Sequence, residues 1–434
     1  MQSRMMRKPL LYGLAIIALG LMLLWWILQQ RRPAEDVVLT MDCGAIGRDY
    51  QLCLDLLEVF MQETGYRVVP RRTPADASLR LSVFRELALT RSEGMDVYMI
   101  DVIWPGILAD ALIDLRPHFN NDDLADFFPS MLANNSVNNR LVAIPYFTDA
   151  GMLYYRQDLL EKYGYSAPPR TWQELEIMAQ VIQQGERSEG RENFWGFVWQ
   201  GRQNEGLTCN ALEWMVAEGA GSIVEADGSI SIDNPDTLRA FNQARRWISS
   251  ISPPNTPDLD EEASRLIWQA GNAVFMRNWP YAYSLANEDS SPVQGRFGIA
   301  PLPAGSARSA ATLGGWQLGV SRHSRFPEAA VELVRFMTSP ASQRYRAIAG
   351  SYNPTLRSLY EDPDVLEANP FFADMPNILE NAVARPSTVT AERYEEVSTI
   401  FHTEINRMLR GIVEPPVALA NIAQNLTLLK GEGW

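Results

Sequence analysis

The stretch Asp96-Val97-Tyr98-Met99-Ile100-Asp101-Val102-Ile103-Trp104-Pro105-Gly106 decides the fold of this 434-residue chain. Its first half, residues 97–103, is a largely apolar, β-branched run of strand length. A run without polar alternation suits a strand covered on both faces, as in an α/β sheet, so this strand is expected to be central. Pro105 and Gly106 end it, and residues 107–115 carry a helical pattern. Asp101 and Trp104 thereby stand near a strand's carboxyl end, where open α/β sheets bind ligands. A carboxylate accepts hydrogen bonds from hydroxyls and an indole offers a flat apolar face, which together suit a sugar. The alternative for this pair taken alone is that Trp104 packs in the core and Asp101 caps a helix.

Working outward, residues 37–41 read as a first strand, and Leu52, Leu56, Leu57 and Phe60 recur at helical spacing before Gly65. Residues 66–70 form the next strand and 79–92 a second helix. This β-α-β-α-β alternation predicts a parallel sheet with helices on its faces. After Leu141 a short strand leads into Pro145-Tyr146-Phe147-Thr148-Asp149-Ala150, then a further strand at 152–155. Polar and aromatic residues gathered between strands suit a lobe-connecting, ligand-facing segment. Thr171 caps a helix at 171–183, and residues 194–199 and 207–217 read as a strand and a helix. Residues 226–233 resemble a hairpin turning at Asp227-Gly228, and Asn234-Pro235 opens another helix. The densest aromatic cluster is Asn278-Trp279-Pro280-Tyr281-Ala282-Tyr283, where Pro280 excludes a central strand. Gly314-Gly315-Trp316 lies inside a strand at 312–321, where paired glycines permit close backbone approach beside an indole.

Length predicts two lobes, because single cores stop growing near ~250–300 residues. The formal net charge is −14, and residues 33–434 carry 33 basic side chains against 52 acidic ones. Such a body repels nucleic acid and anionic membrane surfaces. Residues 10–28 contain no charge and follow Arg4, Arg7 and Lys8, which predicts a membrane helix. Trp25, Trp26, Arg31 and Arg32 replace the small residues of a cleavage site, favouring an uncleaved anchor over a cleaved signal. The basic residues ahead of it place the body outside the cytoplasmic membrane. Cys43 and Cys53 either pair in an oxidising compartment or remain two buried thiols, and Cys209 reads as a small hydrophobe.

No catalytic or metal signature is evident in the sequence. His118, His323 and His402 are isolated, with no zinc motif, nucleophile elbow or phosphate loop. The acidic pairs Asp122-Asp123, Glu261-Glu262 and Glu395-Glu396 read as solvated faces. No enzyme activity, metal or cofactor is expected.

The chain resembles the extracytoplasmic solute-binding proteins of carbohydrate ABC importers, of the maltose-binding type, nearest the trehalose/maltose-binding branch. The landmarks fall in the family's order. They are residues 96–106, the run Ile144 to Arg156, residues 271–283 with Asn-Trp-Pro-Tyr, residues 312–316, and a tail with Arg385-Pro386, 394–398 and 409–411. The resemblance implies the two-lobed periplasmic binding protein fold (type II-like), here preceded by one transmembrane helix. It places residues 36–148 and 296–340 in the amino-terminal lobe, and 149–295 and 341–434 in the carboxyl-terminal lobe. Its implied sugar contacts are Asp101, Trp104, Asp149, Trp279, Tyr281, Gly314, Gly315, Trp316 and Arg385, with Asp49 and Phe147 added. It also implies a monomer that closes on a di- or oligosaccharide and partners ABC permease subunits. Two rivals stay open at this point: a membrane-tethered sugar sensor on the same fold, and a glycosidase, which needs only two carboxylates.

Overall fold

The Asp96 stretch supplies the middle strand of a five-stranded sheet. The structure is a computed structural model describing residues 37–45 and 47–434, so the predicted membrane segment at 10–28 lies outside the described residues. Among the described residues no helix is long and apolar enough to cross a membrane. The strands used below are β1 (Val38–Asp42), β2 (Arg67–Arg71), β3 (Val97–Asp101), β4 (Ile144–Ala150) and β5 (Met152–Arg156). They continue with β6 (Trp195–Val198), β7 (Ala273–Asn278), β8 (Phe297–Pro301) and β9 (Leu313–Val320). The helices that matter to the site are α1 (Asp49–Thr64), α2 (Ala77–Leu89), α3 (Trp172–Ser188), α4 (Glu205–Glu218), α5 (Glu261–Gln269), α6 (Pro327–Met337) and α7 (Tyr394–Leu409).

The first sheet runs in the order β2-β1-β3-β9-β4 and the second in the order β8-β5-β7-β6. In β3 alternate side chains enter different cores. Val97 and Met99 pack with Leu39, Met41 and Phe60, while Tyr98 and Ile100 pack with Leu81, Phe84 and Leu112. Burial of each such side chain stabilises by ~1.5–3 kcal/mol, which is why this run contains no polar alternation. The second sheet carries its own core, in which Trp199 meets Trp214 edge-on at 4.9 Å and Trp172 meets Trp247 at 5.4 Å. Local signals act as expected at element ends. Gly65 closes α1 in the left-handed conformation at φ 74°, and the Thr171 hydroxyl accepts from the Glu174 N–H at the start of α3.

Several expectations are corrected. The first sheet is mixed: β1, β2 and β3 are parallel, but β9 is antiparallel to both β3 and β4 because it enters from the other lobe. Residues 107–115 form one helical turn, Pro105–Leu108, then a short 3-10 turn, Ala109–Ala111. The segment from Pro145 to Ala150 is no inter-strand loop; it is β4 itself, buried throughout. Pro145 is tolerated there because β4 is an edge strand whose register with β9 shifts between Trp316 and Gln317, so no ladder N–H is needed. At Asp227-Gly228 a turn forms, closed by Gly228 N–H to Glu225 O at 2.8 Å, but no flanking strands. The lobe boundaries also differ: β8 pairs with β5 in the second sheet, so the return to the first sheet begins at Leu313 rather than 296. Tyr352, Leu356 and Leu359, expected in the second lobe, pack in the first core. Cys43 and Cys53 form a disulfide joining the end of β1 to α1.

Candidate functional site

Strand register brings the site together. Trp316 on β9 stands opposite Asp101 on β3 and opposite Phe147 on β4, and Gly314 stands opposite Asp149. Three neighbouring strands therefore deliver carboxylates and rings at one level, at the carboxyl end of the central strand. Gly315, at φ +130°, is needed here: a Cβ would lie 2.6 Å from the Phe147 carbonyl oxygen. From the other lobe, Trp279 and Tyr281 follow β7, and Trp279 packs on Gly314 so closely that a Cβ there would meet its ring at 3.1 Å. Together these residues line a narrow cleft of ≈ 100 Å³ between the two sheets.

The charges of the cleft are graded by pairing. Asp49, at the first turn of α1, accepts from Arg346 Nη2 at 2.8 Å, and both are buried. Asp101 accepts from Arg385 Nη2 at 3.1 Å and from the Ile103 N–H at 3.2 Å. The other nitrogen of that guanidinium, Arg385 Nη1, donates to Glu205 Oε1 at 2.9 Å, so one arginine spans a carboxylate from each lobe. Asp149 differs. Its Oδ1 is buried without a hydrogen-bond partner among the described residues. Burial, then the nearby Asp49 charge, pushes its carboxyl well above the usual carboxylate range. Burial likewise raises the Asp101 carboxyl, opposed by Arg385. A buried, unpartnered acceptor is costly unless it receives a donor, and a ligand hydroxyl is one such donor.

Each indole of the cleft has one face covered by a guanidinium. Arg277 Cζ lies 4.0 Å from the Trp279 ring centre and Arg80 Cζ lies 4.3 Å from that of Trp316. Such contacts hold the rings in place and are worth ~0.5–2 kcal/mol each.

Of the residues expected from sequence, Asp49, Asp101, Phe147, Asp149, Trp279, Tyr281, Gly314, Gly315, Trp316 and Arg385 line the cleft. Trp104 does not. It is 1% exposed, edge-on to Trp316 at 5.4 Å and to Phe84 at 6.0 Å, because the chain turns inward at Pro105 and carries the indole behind Trp316. It buttresses a lining residue. The reading of Glu261-Glu262 as a solvated face is also overturned: Glu261 lines the cleft and Glu262 Oε1 accepts from the Tyr281 hydroxyl at 2.6 Å. Sequence reading missed Arg80, Asn204, Glu205 and Tyr352, which line it too. For Glu205 a signal existed. Glu205, Cys209 and Glu213 fall at i, i+4 and i+8 on a helix rich in apolar residues, so one face of α4 had to find polar company. Among the described residues no group of three or more His, Cys, Asp or Glu is placed to hold a metal ion.

The lobes meet across the cleft mouth as well as at Arg385. Asn204 Nδ2 donates to Asp76 Oδ2 at 3.3 Å, and Arg85 pairs with Glu395. Two sheets with separate cores, joined by crossing segments and enclosing a polar, aromatic-walled cleft, define a two-lobed binding protein.

Comparison with known proteins agrees. Residues 52–344 match the family of bacterial extracellular solute-binding proteins. A "Probable ABC transporter-binding protein" of Deinococcus radiodurans is 43% identical over 402 residues, covering 92% of this chain and 96% of the relative. Among solved structures, maltose-bound MalE3 of T. maritima is 40% identical, covers 91% of this chain and 100% of its own, and superposes with a TM-score of 0.87. The GacH receptor of Streptomyces glaucescens, 22% identical with a TM-score of 0.80 over 92% of this chain and 99% of its own, shares the fold. The chain belongs to the bacterial extracellular solute-binding protein family, whose members bind solutes and are not enzymes.

Proposed function

We propose that the protein captures a di- or oligosaccharide between its lobes and presents it to the permease of an ABC importer. The observation that carries this reading is Asp149, a buried acceptor without a partner, set beside the indole of Trp279 and the bare backbone of Gly314. A pyranose has an apolar C–H face and a rim of hydroxyls. Trp279, Tyr281, Trp316 and Phe147 would take the faces, while Asp149, Asp101, Asp49 and Arg385 would take the rim. The likeness to maltose-bound MalE3, at 40% identity over 91% of the chain, supports the same ligand class. Closure would exclude water and strengthen each of these bonds. Because both lobes contribute contacts, the sugar would favour the closed form by differential affinity, and the permease would read that form. Residues 10–28 would tether a monomer to the outer face of the cytoplasmic membrane.

The test is a thermal-shift series with glucose, trehalose, maltose, sucrose and longer glucans. A sugar that binds only the native state at a hundred times its Kd stabilises it by ~2.7 kcal/mol. One disaccharide raising the melting temperature supports the reading; a shift with a non-sugar solute and none with any sugar overturns it.

A further inference from the structure

The chain leaves the first sheet and enters the second at Gly151, the single residue between β4 and β5. It returns through residues 302–312, ending at Thr312 immediately before β9. Both crossings touch one buried ion pair that belongs wholly to the second lobe. Glu213 of α4 and Arg277 of β7 are 0% and 1% exposed and pair twice: Nε to Oε2 at 3.0 Å and Nη2 to Oε1 at 2.5 Å. The Glu213 Oε1 also accepts from the Thr312 N–H at 3.0 Å. At the first crossing, a Cβ on Gly151 would lie 2.2 Å from Glu213 Oε1 and 2.6 Å from Arg277 Nη2, so the backbone there rests directly on the pair. The same guanidinium covers one face of Trp279, and its Nη1 donates to Gln200 Oε1 at 3.2 Å.

A buried pair is weak evidence for stability, since hydrophobic replacements are often as stable. Its geometry here gives it another use. We infer that Glu213 and Arg277 are positioning residues for lobe closure: they fix the two crossing segments to the second lobe and tie that hinge to the cleft indole Trp279. Along these two crossings, turning of the first lobe is then confined to the backbone around Gly151 and Thr312; a third crossing follows Leu359, where the chain passes from the first core to the second at Tyr360. A ligand resting on Trp279 presses on the same guanidinium that holds the hinge. The ligand part of this inference rests on the proposed sugar site; the hinge part does not.

The experiment uses the full chain with Glu63→Cys on α1 and Gln180→Cys on α3, one exposed position on each lobe, as labelling sites for a distance measurement. Cys209 is buried with its thiol pushed up to about 12 by burial, and the other two cysteines are disulfide-bonded, so the introduced thiols take the label. In this background Glu213→Gln and Gly151→Ala are compared with the parent. Glu186→Gln serves as a control: Glu186 accepts from Lys162 at 2.8 Å and Arg191 at 2.6 Å on the same lobe, away from both crossings. The expected result, without any sugar, is a broadened and shifted interlobe distance distribution in Glu213→Gln and Gly151→Ala, and the parent distribution in Glu186→Gln. With maltose as probe, the apparent Kd rises about tenfold in the two hinge variants, because the closed-competent fraction falls. An unchanged distribution in folded Gly151→Ala, or equal broadening in Glu186→Gln, overturns the inference. Were maltose not to bind the parent, the sugar-site reading would fail, while the sugar-free distributions would still decide the hinge.

Discussion

Trp316 and Asp149 carry the sharpest predictions at the scale of single residues. Trp316→Ala removes a half-buried ring that faces the cleft while leaving Trp104 and Phe84 packed behind it. It should weaken sugar binding by ~1–3 kcal/mol in calorimetry and leave the ligand-free protein folded; unchanged affinity would place Trp316 outside the site. Asp149 gives a pH signature. Unfolded, an aspartate titrates near ~3.9. Folded, burial and Asp49 raise Asp149 well above that. The native state therefore holds the proton longer, and ligand-free stability falls as pH rises from the unfolded value towards the folded one. Asp149→Asn should melt higher than the parent above that window, without sugar. A sugar hydroxyl donating to the carboxylate prefers the ionised form, so parental affinity should rise with pH and that of Asp149→Asn should stay lower and flat. The reverse trend would mean that Asp149 donates rather than accepts. Asp101 and Trp316 were legible because strand ends and paired glycines mark where a sheet meets a ligand. Trp104 and Trp316 are the same residue type on or just past paired strands, their rings 5.4 Å apart, and only the turn at Pro105 decides which indole lines the cleft and which supports it.

At the scale of elements, the end of β1 joins the site to its scaffold. Asp42 accepts from Thr73 Oγ1 at 2.8 Å and from the Gly44 N–H at 3.1 Å, and lies 3.8 Å from Arg80, whose guanidinium backs Trp316. Burial raises its carboxyl from 3.8 to about 6, against the pull of Arg80. Because the folded value is the higher one, this group's contribution declines as pH climbs from 3.8 towards 6. The parent should thus lose up to ~3 kcal/mol relative to Asp42→Asn across that window. Urea unfolding of both proteins at each end of the window measures it, and parallel stabilities would refute it. The central strand was readable because an apolar run of that length has few other uses. Pro145 misled because a register shift in a strand far along the chain, at Trp316, creates its permissive place. The pairing of β8 with β5 was equally hidden, since hydrogen bonds between distant segments leave no local trace.

For the whole molecule, the decisive bond is the one Arg385 makes to both lobes. Without that guanidinium, Asp101 and Glu205 would keep their neutral donors but face each other across a closed cleft with no countercharge between them. Arg385→Gln should therefore open the ligand-free protein, seen as a larger radius of gyration in solution scattering, as well as weaken sugar binding; an unchanged radius would show that closure does not depend on this bridge. Two lobes and their order were legible from length, alternation and landmarks. How closely they approach was not, because contacts such as Asn204 to Asp76 join residues more than a hundred positions apart. The link between Cys43 and Cys53 has a practical bearing on any trial of these ideas. Protein harvested from a reducing cytosol would lack a crosslink typically worth ~2–4 kcal/mol, and the turn that delivers Asp49 to the cleft would be untied. A failed sugar screen on such material would report on the redox state of the preparation, so the choice of export or oxidative refolding is part of the binding assay itself.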